Sequence, residues 1–357
     1  MSPELIEAYQ KAALPFFESH AGIFPEHASM KSWRYFLEIN SACNLKCPTC
    51  TKGNKAGYDH QTGIMDADLM EQCLDKIVSE NPKATVLMYG NSEPFLHPRL
   101  PECIAAVKKR GLRCEVSTNL NYVQRLDETL AAQPDFMILS LSGFTQEVYV
   151  KGHAGGNIDK VKANMRLLGE ANSRADQRVQ ISVNYHVYKD NGGAELDSMR
   201  SFAAECGFGF FTSVARAISM ENAIQYCREK DEAATPFEVQ PNRPDWNVAL
   251  PPVSKQWRET MDRLRIPPDK ARGMYVHHPI HPVCPVGAGG MFTFIRHDGK
   301  TSMCACVADR RITVGDYLST TPEEMTEQRT GHAICQQCLK YRTNLYFHIV
   351  DQETWTP

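Results

Sequence analysis

The chain has 357 residues, with 39 Lys and Arg against 42 Asp and Glu for a net charge of −3. That length suits one large catalytic domain with a smaller companion, and it can bury a substantial core. The absence of a basic excess or of any run of five or more Lys/Arg excludes nucleic acid as an expected partner.

The opening residues, Met1 to Glu7, lack the basic and apolar regions of an export signal, and no apolar run reaches the roughly 18 residues of a membrane span. A soluble, cytoplasmic protein with no membrane partner is expected. Thirteen cysteines in such a chain argue against a disulfide framework, which belongs to small secreted domains. Their distribution is uneven. Cys43, Cys47 and Cys50 are grouped early; Cys284, Cys304, Cys306, Cys335 and Cys338 are grouped late; Cys73, Cys103, Cys114, Cys206 and Cys227 are scattered between. Two metal sites and some packed thiols are the expectation.

In chain order, residues 1–32 read as a helix, Glu4–Ser19, and a loop. Arg34–Ile39 reads as a strand, and it hands over to Cys43-Asn-Leu-Lys-Cys47-Pro-Thr-Cys50. Thiolates this close form a soft-metal site, and a structural zinc or an electron-transfer cluster takes four ligands rather than three. A zinc knuckle would have to recruit His60, in a polar loop. A ferredoxin-type cluster would have to recruit Cys73, which falls on the apolar face of a helix over Asp66–Glu80. Three thiolates on a four-iron cube instead leave one iron open.

Further strands are expected at Thr85–Tyr89, Arg113–Thr118, Phe136–Leu141, Val179–Val187 and Gly209–Val214. Helices are expected at Asp66–Glu80, Pro101–Lys109, Gln124–Ala132, Asn157–Ala171 and Gly193–Cys206. Strict alternation argues for a parallel sheet, and six units of roughly 30 residues make a partial barrel over residues 33–214. Sites on such folds lie at the carboxyl ends of the strands, where the three cysteines fall.

The other strand ends carry Gly90-Asn91-Ser92-Glu93-Pro94, Ser117-Thr118-Asn119 and Ser140-Leu141-Ser142-Gly143. With the cysteine spacing, these loops resemble the radical SAM superfamily: the first its "GGE" element, the second its "TN" element, the third its Ser-Leu-Asp-Gly. The resemblance covers about residues 33–214 and rests on four motifs in order. It departs at Ser142, where an acid is usual, and at Thr49, where many members carry an aromatic. It implies a [4Fe–4S] cluster on Cys43, Cys47 and Cys50, with S-adenosylmethionine (SAM) chelated at the open iron. Gly90, Asn91, Ser92, Glu93, Ser117, Asn119, Ser140 and Ser142 are the implied cofactor-binding residues.

Residues 215–283 read as a proline-rich connector with one amphipathic stretch, Val253–Leu264. A hairpin is then expected around His297-Asp298-Gly299, ahead of Cys304 and Cys335-Gln-Gln-Cys338. Four such thiolates suit a zinc ribbon or an iron–sulfur cluster. Behind a radical SAM barrel the pattern resembles a SPASM or twitch domain over 284–345, with residues 346–357 as a tail. The resemblance implies one auxiliary [4Fe–4S] cluster on Cys284, Cys304, Cys335 and Cys338. On a strand, Cys306 would face the same side as Cys304; it is read as an alternative ligand, a hydrogen-atom donor or a packed thiol.

The full expectation is an α/β enzyme: a partial (β/α)6 TIM-type barrel with a small C-terminal cysteine-rich auxiliary-cluster domain. The resemblance implies reductive cleavage of SAM to a 5′-deoxyadenosyl radical, with electrons from an external donor such as flavodoxin or ferredoxin. The substrate is read as a small polar metabolite, a sugar or aminocyclitol, undergoing a net two-electron oxidation. Epimerisation with Cys306 returning the hydrogen, peptide modification, and a non-enzymatic iron–sulfur or zinc protein are the alternatives. Asn184, Tyr185, His186, Arg216, His277, His278 and His281 are the candidate groups around the cofactor and substrate.

Overall fold

A computed structural model describes residues 34–53, 62–230, 250, 252–270, 292–341 and 343–346. The expected helix Glu4–Ser19, His60, His277, His278, His281 and Cys284 lie outside the described residues, as do residues 231–249 and 271–283 of the connector and the tail beyond residue 346. Among the described residues, no helix is long and apolar enough to cross a membrane.

Six parallel strands make the frame: β1 (Arg34–Leu37), β2 (Thr85–Leu87), β3 (Arg113–Thr118), β4 (Phe136–Leu141), β5 (Gln180–Val187) and β6 (Gly209–Val214), each paired with the next. Between them lie α1 (Ala67–Glu80), α2 (Leu100–Lys109), α3 (Leu126–Ala131), α4 (Gln146–Gly152), α5 (Ile158–Arg174) and α6 (Ala194–Glu205). The helices form for local reasons. In α1, Met70, Cys73, Leu74 and Ile77 recur at helical spacing and are buried, and the Asp66 carboxylate caps the first turn by accepting from the Asp68 and Leu69 amides. In α5, Asn157 caps the Lys160 amide, and Val161, Met165 and Leu168 turn inward. Each such apolar side chain withdrawn from water contributes on the order of 1.5–3 kcal/mol.

The described C-terminal part continues this sheet. The expected hairpin forms from β7 (Phe292–Ile295) and β8 (Lys300–Ser302), with Gly299 at φ 77°, and β9 (Thr313–Asp316) adds an antiparallel neighbour. β7 then lies parallel to β1, with Arg34 opposite Phe292 and Leu37 opposite Ile295. A nine-stranded sheet results, in the order β6-β5-β4-β3-β2-β1-β7-β8-β9. The Tyr35 and Tyr317 hydroxyls both donate to Glu80, at 2.7 and 2.8 Å, and fasten α1 between barrel and hairpin.

Part of the expected connector is helical. α7 (Met220–Glu229) follows β6 directly, capped by Ser219, and α8 (Lys255–Arg263) matches the amphipathic stretch. The described residues end with α9 (Pro322–Gly331), α10 (Ala333–Lys340) and α11 (Thr343–Tyr346). α9 opens with a complete capping box, Thr321 with Glu324.

Candidate active site

The loop bearing Cys43, Cys47 and Cys50 leaves the carboxyl end of β1 and is wound tightly. The Cys50 amide donates to the Cys47 carbonyl at 3.0 Å and the Gly53 amide to the Cys50 carbonyl at 3.1 Å. A Cβ on Gly53 would sit 2.0 Å from the Cys47 carbonyl oxygen, so only glycine closes this turn. The loop is tied outward as well. The Lys46 amide reaches the Ala154 carbonyl (2.9 Å) and the Ile218 amide reaches the Thr49 carbonyl (2.6 Å).

Burial pushes the Cys43 thiol up to about 12, against the pull of the Leu45 amide, and Glu93 and Cys50 push further the same way. Burial likewise raises Cys47, with Cys50 and Cys43 adding repulsion. Three thiols so placed stay protonated unless a cation lies among them. Among the described residues, no three His, Cys, Asp or Glu side chains gather closely enough for a single metal ion.

Glu93 is the knot of the rim. Its backbone is held by the cysteine loop, its amide donating to the Ala42 carbonyl (2.9 Å) and its carbonyl accepting from Asn40 Nδ2 (3.1 Å). Its carboxylate, 1% exposed, accepts from Thr118 Oγ1 (2.7 Å), the Asn119 amide (2.8 Å) and the Phe95 amide (3.1 Å). Burial nevertheless lifts its pKa to about 7. The side chain thus joins the ends of β2 and β3, and the Glu93 backbone ties that corner to the end of β1. Asn119 Nδ2 donates to Asn44 Oδ1 at 2.9 Å and lies 3.9 Å from Cys43 Sγ, which puts it against the cysteine loop.

Beside this rim opens a cavity of about 400 Å³. Thr49, Gly90, Asn91, Ser117 and Ser140 line it from the rim side, with the two serine hydroxyls 3.0 Å apart. Asn184, His186, Arg216 and Cys306 line it from the other side. A Cβ on Gly90 would come within 2.7 Å of the Phe294 ring, so glycine here lets β7 pack against the cavity wall. Burial, reinforced by Arg216, holds His186 neutral by lowering its pKa to about 4. His186 stacks on His153, whose Nδ1 is 2.6 Å from Ser142 Oγ. Ser142 is buried against that histidine; it, Ser92, Glu93 and Asn119 are not among the residues lining the cavity.

Residues 37–202 match the family model described as the radical SAM superfamily. This part of the chain is a radical SAM domain. Over 163 residues it is 31% identical to the "Tungsten-containing aldehyde ferredoxin oxidoreductase cofactor-modifying protein" of Pyrococcus furiosus, a match spanning 44% of each chain. Among solved structures, SuiB of Streptococcus suis bound to its precursor peptide SuiA aligns with a TM-score of 0.52 at 11% identity. That alignment covers 89% of this chain and 69% of SuiB. The structure of anSMEcpe with bound AdoMet aligns at 0.50 with 13% identity, over 83% and 77% of the two chains. The radical SAM fold binds SAM and a [4Fe–4S] cluster, and the three-thiol loop beside this cavity fits both.

The later cysteines lie on two elements. Cys304-Ala305-Cys306 forms a turn after β8 rather than a strand, which corrects the expectation that the two thiols share one face. Cys306 lines the large cavity, whereas Cys304 lines a small one of about 20 Å³ with Thr51, Lys52, Asn91 and Arg310. A hydrogen bond from Cys306 lowers the pKa of Cys304 against the effect of burial. Cys335 and the buried Cys338 sit on α10. Met220 joins the two elements: its amide donates to the Cys306 carbonyl at 2.7 Å, and its sulfur accepts from Thr343 Oγ1, which also donates to the Cys338 carbonyl.

Two buried carboxylates clamp the segment after Cys306. Glu221 accepts from the Ala308 and Asp309 amides, both at 2.9 Å. Glu38 accepts from Arg310 at 3.1 and 2.7 Å, and His297 Nδ1 lies 3.3 Å away. Burial alone would raise the Glu38 carboxyl, but His297 and Arg310 hold it down at about 2. Neither carboxylate is legible as a site residue in the sequence, because each partner is far along the chain. Gly53 carried a readable signal, a glycine closing a tight cysteine loop.

Proposed function

We propose that Cys43, Cys47 and Cys50 hold a [4Fe–4S] cluster, and that SAM binds at its open iron along Gly90, Asn91, Ser117 and Ser140, with Ser92, Glu93, Asn119 and Ser142 shaping the rim behind them. Cluster and SAM together supply a carbon radical that takes a hydrogen atom from a small polar molecule. The cavity carries this reading: it opens from the cysteine loop at Thr49 and is lined by the ends of β2 to β6. The chain's own part is to position the two partners and exclude water. The Ser117 and Ser140 hydroxyls, Asn184 and the neutral His186 offer hydrogen bonds to a sugar, an aminocyclitol or a similarly polar cofactor precursor. The cofactor-modifying name of the P. furiosus relative supports the last of these. Cys284, Cys304, Cys335 and Cys338 would hold one auxiliary [4Fe–4S] cluster in a SPASM- or twitch-type domain, which accepts the electron in a net two-electron oxidation. An external flavodoxin- or ferredoxin-type donor would supply the reducing electron.

Anaerobic reconstitution tests the reading. About eight irons per chain and dithionite-driven 5′-deoxyadenosine are expected; zinc in place of iron, or no SAM cleavage, sinks it. The position of Cys306 on the cavity wall favours one second reading, an epimerisation in which its thiol returns the hydrogen atom and the resulting thiyl radical is reduced by the external donor and protonated from solvent. In deuterium oxide that reaction places solvent deuterium in the product. Its absence from the product removes that second reading.

A further inference from the structure

Lys52 follows Cys50 by two positions, and its Nζ is sealed from solvent with no hydrogen-bond partner among the described residues. It lines the small cavity of about 20 Å³ together with Asn91, Cys304 and Arg310, room for about one water molecule. Burial disfavours the ammonium and the Glu38 charge favours it, but the Glu38 oxygens are already taken by Arg310 and His297, and Arg310 itself repels Lys52. A buried cation in this position calls for a dedicated negative partner. Lys52 sits in the turn of the early cysteine loop itself, between Cys50 and the Gly53 amide that donates to the Cys50 carbonyl.

A four-iron cube on three thiolates carries net negative charge and gains one more negative charge on reduction. Nearby charge and burial are what set the potential of such a cluster. We infer that Lys52 is the internal counter-charge of the cluster held by Cys43, Cys47 and Cys50, and that it raises that cluster's reduction potential. The inference rests on the proposed assignment of those three ligands. Lys52 touches no reacting atom and acts through the cluster. Because Cys304 lines the same small cavity, the competing outcome is that the lysine tunes the later cysteine group instead.

Potentiometric titration of the full-length, anaerobically reconstituted protein, read by electron paramagnetic resonance with and without SAM, separates these cases. The signal that changes on adding SAM reports the SAM-binding cluster. In K52M, the reduced-to-oxidised ratio of that signal at a fixed potential is expected to fall on the order of tenfold, which is 59 mV for one electron. K52R, which keeps the charge, restores most of it. K52Q is read in the same way if K52M loses iron. An unchanged midpoint in the neutral variants overturns the inference, as does an equal shift in K52R or a shift confined to the SAM-insensitive signal. A wild-type protein with no SAM-responsive signal overturns the ligand assignment itself, and the role of Lys52 with it.

Discussion

Cys43, Cys47 and Cys50 lie within eight residues of one loop, whereas Cys304, Cys306, Cys335 and Cys338 come from a turn and a helix some thirty residues apart. The early group is shaped by its own backbone, through the Cys50 and Gly53 amides, and by the end of one strand. The late group is shaped by distant carboxylates: Arg310 reaches Glu38 across 272 positions, and the Ala308 amide reaches Glu221 across 87. A site built locally tolerates loss of its neighbours, and a site built from remote clamps does not. That difference can be measured.

The largest effect belongs to the early loop. Replacing Cys43, Cys47 and Cys50 together by alanine is expected to abolish 5′-deoxyadenosine formation and remove about half of the reconstituted iron. Thermal unfolding should change little, because these side chains are only partly buried. Iron analysis beside a melting curve checks this; a collapse of the fold would show that the loop is as dependent on its ligands as the later one.

Arg310→Ala ranks next. It leaves the Glu38 carboxylate buried without its bidentate partner, and losing one member of a buried pair costs about 3–5 kcal/mol. Glu38 also sets an acid limb. Its folded pKa of about 2 lies below the unfolded value of 4.5, so its contribution is complete above pH 4.5 and is lost as pH falls towards 2. The contribution is about 3 kcal/mol. Denaturant melts between pH 5 and 3 should show stability falling with pH, and Glu38→Gln should flatten that slope. Glu221→Ala comes third, at about 2–3 kcal/mol for the stranded Ala308 and Asp309 amides. It should release iron from the later cysteines while SAM cleavage by the early loop persists. Equal loss from both groups would remove the distinction between them.

The same difference explains what the sequence disclosed. Strands β3, β4 and β6 end where alternation and turn residues place them, and the three early cysteines with their neighbouring strand-end motifs were readable because each signal is local. α7 was not expected: it is a ten-residue helix whose buried face carries the polar Glu221 and Asn222 beside Ile224 and Cys227. The hairpin of β7 and β8 was visible from Asp298-Gly299, but such a signal fixes only the antiparallel partner. That β7 also pairs in parallel with β1 depends on packing 250 residues away, and so does the placing of Cys304 and Cys306 on different cavities. The clamping carboxylates look like ordinary surface acids until the chain is folded.

The smallest effect sharpens the comparison from the other side. Cys73 lies fully buried on α1 beside Leu74 and Ile77, and burial pushes its thiol up to about 12. A thiol held neutral in an apolar helix face behaves as a small hydrophobe, and its spacing from Cys50 gave it the only nearby claim to be a fourth ligand. Cys73→Ala should therefore cost about 1 kcal/mol of stability for the lost packing, with iron content and SAM cleavage unchanged. Loss of iron in this variant would mean that the early loop recruits a fourth thiolate from the helix. The open iron, and with it the contrast between a three-thiol loop and a four-thiol clamp, would then be gone.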